Sequence, residues 1–237
     1  MKILLIGYGK MGKTIEALAL KNGHTIAGII DIHNQPEIKN SKADIAIEFS
    51  RPEAAYENVK LCMESGLPVV CGTTGWLEKR KEVEVLCQQK NGTFFYASNF
   101  SVGVNVFFKV NAYLASLMNS FPSYNVSMDE IHHTQKKDAP SGTGITLAED
   151  IIKHVARKKS WINKDEESPE QIAIHSYRVD PAPGTHVVKY TSTIDDLEIK
   201  HTAHTREGFA LGALDVATWI VKEQKKGLLS MDDYLKL

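Results

Sequence analysis

"MKILLIGYGKMG", residues 1–12, decides how the rest of the chain is read. Four consecutive apolar residues, Ile3 to Ile6, make "KILLIG" (2–7) a buried strand with no polar face. Gly7, Tyr8, Gly9, Lys10, Met11 and Gly12 follow at the spacing of a dinucleotide fingerprint, after the strand and at the opening of a helix. Such glycines permit a tight turn and close approach of a pyrophosphate, whose charge is met by the helix N-terminus. An ordinary strand-to-helix turn uses glycines too, so the motif needs support from the rest of the chain.

That support comes from continued alternation. "KTIEALALKNG" (13–23) predicts a helix stopped by Asn22-Gly23, and "TIAGIID" (25–31) and "ADIAIEFS" (43–50) predict strands. "SRPEAAYENVKLCMESG" follows as a helix, with Ser50 and Glu53 at capping-box spacing and Pro52 in the first turn. Strand, helix and strand then recur in "LPVVCGTTG", "WLEKRKEVEVLCQQKNG" and "TFFYAS" (93–98). The first half is therefore expected to be a Rossmann-type, doubly wound parallel sheet in an α/β chain. Asp31, 19 residues past Gly12, stands where an acidic side chain accepts the ribose hydroxyls and repels a 2′-phosphate, or where it merely caps a turn. With no arginine after it, NADH is favoured, although Lys10 and His33 partly offset the repulsion and NADPH stays open. Gly72, Thr73, Thr74, Ala97, Ser98, Asn99 and Phe100 follow predicted parallel strands, so they are expected at the nicotinamide side.

Composition narrows the function classes. With 28 Lys and Arg against 29 Asp and Glu, the formal net charge is -1, which supplies no broad field for nucleic acid or anionic membrane. The apolar runs fall short of the roughly 20 residues that span a bilayer, and the N-terminus has no secretory cleavage pattern. Three cysteines, Cys62, Cys71 and Cys87, lack metal-type spacing and fit small buried residues of a reducing cytoplasm.

After about residue 102 the pattern changes. A helix, "VGVNVFFKVNAYLASLMNSF", leads to the strand-like "YNVSMDEIHH"; the next helix, "ITLAEDIIKHVARK", carries Ile145, Ala148, Ile152 and Val155 on one stripe. Stretches at about 171–179, 186–194 and 197–205 are β-rich, which implies an α+β domain with an open mixed or antiparallel sheet. The tail "FALGALDVATWIVKEQ" is helical again. Two domains result: 1–102, with 206–237 returning to it, for a dinucleotide, and 103–205 for a substrate and for oligomer contacts.

"EIHHTQKKDAPSGTG" (130–144) concentrates basic groups at this second domain. Such a cluster can grip a phosphate, ligate a metal, or hold an acidic small molecule while one member moves a proton. Hydride delivered to a conjugated carbon leaves negative charge, which a nearby Lys or imidazolium can protonate and offset. Ser141, Gly142 and Thr143 precede a predicted helix, so free backbone N–H groups there would bind a carboxylate, and Arg206 could bind one through two hydrogen bonds or serve as an interdomain contact. Adjacent histidines on a strand point to opposite faces, so one of His132 and His133 is expected to pack elsewhere. Metal ligation by the pair is not expected, because no carboxylate or thiolate lies at a supporting helical spacing. Glu130 and Asp138 are expected to orient or balance the basic groups.

Taken with "GYGKMG", "EFSRPEA", "GTTGW", "ASNFSVGVN" and the late "FALGA", this motif resembles the dihydrodipicolinate reductase family over nearly the whole length. The resemblance implies reduction of a cyclic unsaturated dicarboxylate, 4-hydroxy-tetrahydrodipicolinate, by NADH or NADPH in diaminopimelate and lysine biosynthesis, without a metal. It implies His132 as proton donor and acceptor, Lys136 as proton donor, and His133, Gly142 and Thr143 as substrate-binding. The Gly7–Gly12 loop, Asp31, Gly72 to Thr74 and Ala97 to Phe100 are implied as cofactor-binding, and a homotetramer as the assembly. The chain departs from the family pattern at Lys10, where arginine is frequent, at Asp180, where glycine is usual, and in a short connection between strands two and three. Other two-domain dehydrogenases of amino or oxo acids share the first half but not the second motif, and a nucleotide sensor without catalysis would not need His132 and Lys136. Two cofactor-to-substrate joints, near 101–105 and 205–209, are expected to close the domains during hydride transfer.

Overall fold

The computed structural model describes residues 1–165, 168–205 and 207–236. The chain forms β1 (Lys2–Ile6), α1 (Lys10–Lys21), β2 (Thr25–Ile30), β3 (Ile45–Glu48), α2 (Pro52–Glu64), β4 (Val69–Cys71), α3 (Arg80–Gln89) and β5 (Thr93–Tyr96). It continues through α4 (Val102–Met118), β6 (Asn125–His132), α5 (Gly142–His154), β7 (Ser160–Ile162), β8 (Gln171–Arg178), β9 (Gly184–Thr191) and β10 (Asp196–Ala203). It ends with α6 (Glu207–Glu223), β11 (Gly227–Leu229) and α7 (Met231–Leu235). Two compact units result, Met1–Val102 with Glu207–Leu237, and Gly103–Arg206.

In the first unit six strands lie in the order β11-β5-β4-β3-β1-β2, and all pairs are parallel. The unbroken apolar run of β1 is explained by burial on both faces. Ile3 and Leu5 pack with Ile15 and Ala19 of α1 and with Ala213, Leu214 and Ala217 of α6. Leu4 and Ile6 pack on the other side with Val59 and Cys62 of α2 and with Val83 and Cys87 of α3. Since β2 and β3 flank β1 on opposite sides, chain direction switches there and a crevice opens at the strands' carboxyl ends. All three cysteines are free and buried.

The second unit has a mixed sheet in the order β10-β9-β6-β8-β7, with β6, β8 and β7 parallel and β9 and β10 antiparallel. One face is covered by α4 and α5: Val126, Met128, Ile172, Ile174, Val188 and Tyr190 meet Phe107, Ala115, Leu147, Ala148 and Ile151.

Several local expectations are corrected. Ser50 does not cap α2; Arg51 is the N-cap, without a side-chain bond, and the Ser50 hydroxyl goes to the buried carboxylate of Glu48. Water can serve an exposed helix terminus, whereas a buried carboxylate depends on protein donors. α5 begins at Gly142, three residues before the predicted start, because Ser141 caps it. Its core stripe is Leu147, Ala148, Ile151 and Val155 rather than one through Ile145 and Ile152, since crowded apolar positions allow two stripes of equal helical spacing. β7 and β11, three residues each, are too short to show a period, and α7 was likewise not expected.

Gly212 of α6 marks the tightest approach in the first unit, for a Cβ there would lie 1.9 Å from the carbonyl oxygen of Phe100. Gly212→Ala should destabilise the protein by about 3 kcal/mol, read as a lower urea midpoint. A Cβ at Gly9 meets nothing within 4 Å, so Gly9→Ala should leave the midpoint nearly unchanged.

Candidate active site

Two cavities open at the carboxyl ends of the first sheet. The larger, about 560 Å³, is lined by Gly7, Tyr8, Gly9, Asp31, Ser50 and Arg51 among others. The second, about 360 Å³, is lined by Gly9, Lys10, Met11, Ser50, Gly72, Thr73 and Thr74 with their neighbours. They share Gly9, Phe49 and Ser50. The fingerprint glycines divide the work. Gly7 has φ +90°, and a Cβ there would lie 2.2 Å from the Phe49 carbonyl oxygen, while one on Gly12 would lie 2.2 Å from the Gly7 carbonyl oxygen. These two let the chain cross itself; Gly9 leaves open space toward the cavities.

Asp31 is exposed at the end of β2, with Oδ1 accepting the His33 N–H at 2.7 Å. It is thus a turn residue and also a wall of the larger cavity. Arg51 lines the same cavity and has a meaning the sequence hid: an arginine need not follow Asp31 in the chain to reach the space that Asp31 borders. Ala97 to Phe100 line neither cavity. Ala97 and Phe100 are buried, and the Phe100 ring packs against Phe49 at 5.6 Å and Phe95 at 5.8 Å. Asn99 accepts from the Ser101 N–H, and Ser98 is exposed. Beneath the cavities Glu48, fully buried, accepts from Ser50, Cys71 and Asn58, and Ser50 N–H reaches Thr73 Oγ1 at 2.9 Å.

In the second unit, sheet register assembles a polar site where the apolar face of the sheet ends. One row across β8, β6, β9 and β10 carries Ser176, Glu130, His186 and His201. Beside it Arg178 is paired with His132, and Gly184 lies so close that a Cβ there would stand 3.2 Å from His132 Nε2. Glu130 is 1 % exposed. Its carboxylate accepts the Ser141 N–H at 2.8 Å and the Ser176 hydroxyl at 2.9 Å, with Arg178 at 3.5 Å. Burial pushes its carboxyl up, but hydrogen bonds from Ser141 and Ser176 and the nearby His132 leave it below the ordinary value.

Ser141 is committed on every side. Its N–H goes to Glu130, its Oγ accepts the Gly144 N–H at 3.0 Å and meets His186 Nε2 at 2.9 Å, and its carbonyl accepts from Ile145. Its own polar atoms are thus taken, which moves the expected carboxylate contact to the next two residues. Gly142 and Thr143, in the first turn of α5, have no acceptor for their N–H groups among the described residues. Lys136 is 21 % exposed and holds both Asp138 oxygens, at 2.8 and 2.9 Å. Arg178 fixes that loop by donating to the carbonyls of Lys136 and Asp138. His133 lines a separate cavity of about 270 Å³ with Gln135, Asp180 and Pro183, and Asp180 in turn accepts from Thr134. Arg206 lies outside the described residues.

His132 and His186 are both buried, with ring centroids 5.0 Å apart and each Nδ1 without a partner among the described residues. Burial lowers the pKa of His132, which Glu130 opposes and Lys136 and Arg178 reinforce. Burial likewise lowers His186, to about 4. Ligand atoms of Glu130, His132 and His186 all lie within 4.8 Å of one another, an arrangement that helical spacing could not reveal because a strand makes it. Its surroundings oppose a cation: Glu130 is already occupied by three donors and both Lys136 and Arg178 add positive charge. The same groups suit an anion. His186 and Arg178 escaped the sequence reading, because β8 and β9 show no clean alternation and strand order was needed to bring them to His132.

The chain matches the family model "Dihydrodipicolinate reductase, N-terminus" over residues 1–100 and "Dihydrodipicolinate reductase, C-terminus" over residues 103–235. It is 45% identical to a 4-hydroxy-tetrahydrodipicolinate reductase from Christiangramia forsetii, across 99% of this chain and 98% of the relative. It is 36% identical to an enzyme of the same name from Methanosarcina barkeri, across 88% of this chain and 80% of the relative. A dipicolinate-bound dihydrodipicolinate reductase from Paenisporosarcina sp. TG-14 has the same fold, with a TM-score of 0.76 at 22% identity and 97% of each chain covered.

The lowered His186 sets a pH dependence. A histidine ordinarily titrates near 6.5, and the folded chain withholds that proton until about 4. Between those values the unfolded chain binds a proton that the folded chain refuses, so stability should fall as pH drops through that window. His186→Phe should flatten this fall, measured as urea midpoints at about pH 7 and about pH 5.

Proposed function

The chain belongs to the dihydrodipicolinate reductase family, and on that premise we propose how its residues carry out the family's reaction. It is an oxidoreductase that reduces 4-hydroxy-tetrahydrodipicolinate in diaminopimelate and lysine biosynthesis. The observation that carries the assignment of roles is the pair of N–H groups at Gly142 and Thr143, without an acceptor among the described residues and anchored through Ser141 to the buried Glu130. A helix N-terminus with unused donors favours a carboxylate, and a dicarboxylate explains why Lys136 and Arg178 are gathered nearby.

The first unit, 1–102 with 206–237, binds the dinucleotide; the second, 103–205, binds the dicarboxylate and forms the contacts of a homotetramer. NADH or NADPH supplies the hydride. Gly9 and the first turn of α1 receive the pyrophosphate, Asp31 the ribose hydroxyls, and Gly72 to Thr74 with Ala97 to Phe100 the nicotinamide side. Asp31 favours NADH, while Arg51, lining the same cavity, offers a partner for a 2′-phosphate. The product, tetrahydrodipicolinate, requires the 4-hydroxyl to leave as water. Hydride then adds to that carbon of the conjugated ring, and Lys136 delivers a proton to the neighbouring carbon left negative. Burial keeps His132 neutral near pH 7, which suits it to orient the substrate and exchange protons with it rather than to act as a standing acid. His133 and Arg206 complete the substrate contacts. Three buried free cysteines agree with a reducing cytoplasm.

The test is NADH and NADPH oxidation, followed by absorbance, with substrate generated in place by condensing pyruvate with aspartate semialdehyde. Oxidation should require both precursors and the condensing enzyme; none with either cofactor, from folded protein, would overturn the reading. Lys136→Ala should lower kcat by about 100-fold or more while cofactor binding, read by fluorescence titration, stays intact. Asp31→Ala should raise KM for NADH by about tenfold and change KM for NADPH less.

A further inference from the structure

We propose that His186 is a positioning residue that holds the carboxylate-binding turn through Ser141. The inference rests on the proposed dicarboxylate site and adds a residue to which no role has been given there. His186 is 5 % exposed, and a ring so buried must justify its polar atoms. Nε2 lies 2.9 Å from Ser141 Oγ and 3.8 Å from Glu130 Oε2, whereas Nδ1 has no partner among the described residues. Placing the hydrogen on Nε2 gives it an acceptor in Ser141 Oγ and leaves a bare acceptor at Nδ1; the opposite tautomer would bury an N–H that none of the described residues receives. His186 therefore donates to Ser141.

That donation has a mechanical consequence. Ser141 Oγ also accepts the Gly144 N–H that caps α5, so the imidazole fixes the rotamer that orients the first turn. The turn so fixed is the one whose Gly142 and Thr143 N–H groups remain free. The same ring meets His132 in an edge-on contact at 5.0 Å, so one neutral ring braces both the anion turn and the proton-exchanging histidine. His186 touches neither substrate nor cofactor in this scheme; it acts through Ser141.

Direct binding of dipicolinate, by calorimetry in the presence of NADH, separates this proposal from the reaction assignment because it needs no turnover. His186→Phe, which keeps the ring volume and loses the donor, should weaken dipicolinate and raise KM for the dicarboxylate by about tenfold, with KM for the dinucleotide within about twofold of wild type. His186→Gln, which restores a side-chain N–H, should recover most of that loss. Ser141→Ala should show the same loss, and the double variant no more than Ser141→Ala alone, because the two residues act in series. His186→Asn, whose amide stops short of Ser141, replaces the phenylalanine variant if that one does not fold. Unchanged dipicolinate affinity, a reduced active fraction with unchanged KM, or losses that multiply in the double variant would each overturn the proposal. Absence of turnover in wild type would sink the reaction assignment and leave the calorimetric comparison standing.

Discussion

A buried carboxylate that has to be satisfied organises the second unit. Glu130 follows Val126 and Met128 on the buried face of β6, where that face turns from apolar to polar, at 1 % exposure. Leaving such a charge without partners costs several kcal/mol, so the chain brings donors to it from three directions: Ser176 and Arg178 on β8, and the N–H of Ser141 ahead of α5. Each donor then fixes something else. Arg178 pins the Lys136–Asp138 loop by its carbonyls, and Ser141 starts the helix whose first turn keeps two N–H groups unspent.

The first unit repeats this solution at the carboxyl end of an interior strand. Glu48 closes β3, is fully buried, and is met by the N–H and hydroxyl of Ser50, the thiol of Cys71 and the amide of Asn58. Ser50 in turn bonds Thr73, so the loops after β3 and β4, which wall the two cavities, are held by one side chain. In both units a buried glutamate lies near the end of an interior strand, at the final position of β3 and two before the end of β6, and a serine carries its constraint into a loop that presents backbone to the space where a ligand is expected. Rigid support of this kind is what a site needs if hydride and proton are to meet one carbon, since small displacements of reacting groups are costly in rate.

Much of this was legible in residues alone. The run Ile3–Ile6 followed by the glycine turn marked a strand covered on both sides, and the alternation through "TFFYAS" implied the parallel sheet. What misled was local competition. Ser50 has the spacing of a cap and is spent on Glu48 instead, and Ser141 looked like a ligand residue but is consumed by its neighbours. In each case the sequence named the right residue and the partner was decided by burial, which spacing does not encode.

The sequence by itself determined the element types, the crossing points that only Gly7 and Gly12 permit, and the concentration of basic groups between 130 and 144. These follow from short-range rules: side-chain period, backbone sterics and the chemistry of adjacent residues. The tertiary structure alone decided that His186 and Arg178 stand beside His132, that Arg51 faces the same cavity as Asp31, and that Gly142 and Thr143 keep their donors free. The first of these depends on strand order and register, which bring residues more than 40 positions apart together and are set by how the two faces of a sheet bury their apolar side chains; the other two depend on which loops and caps that sheet leaves side by side.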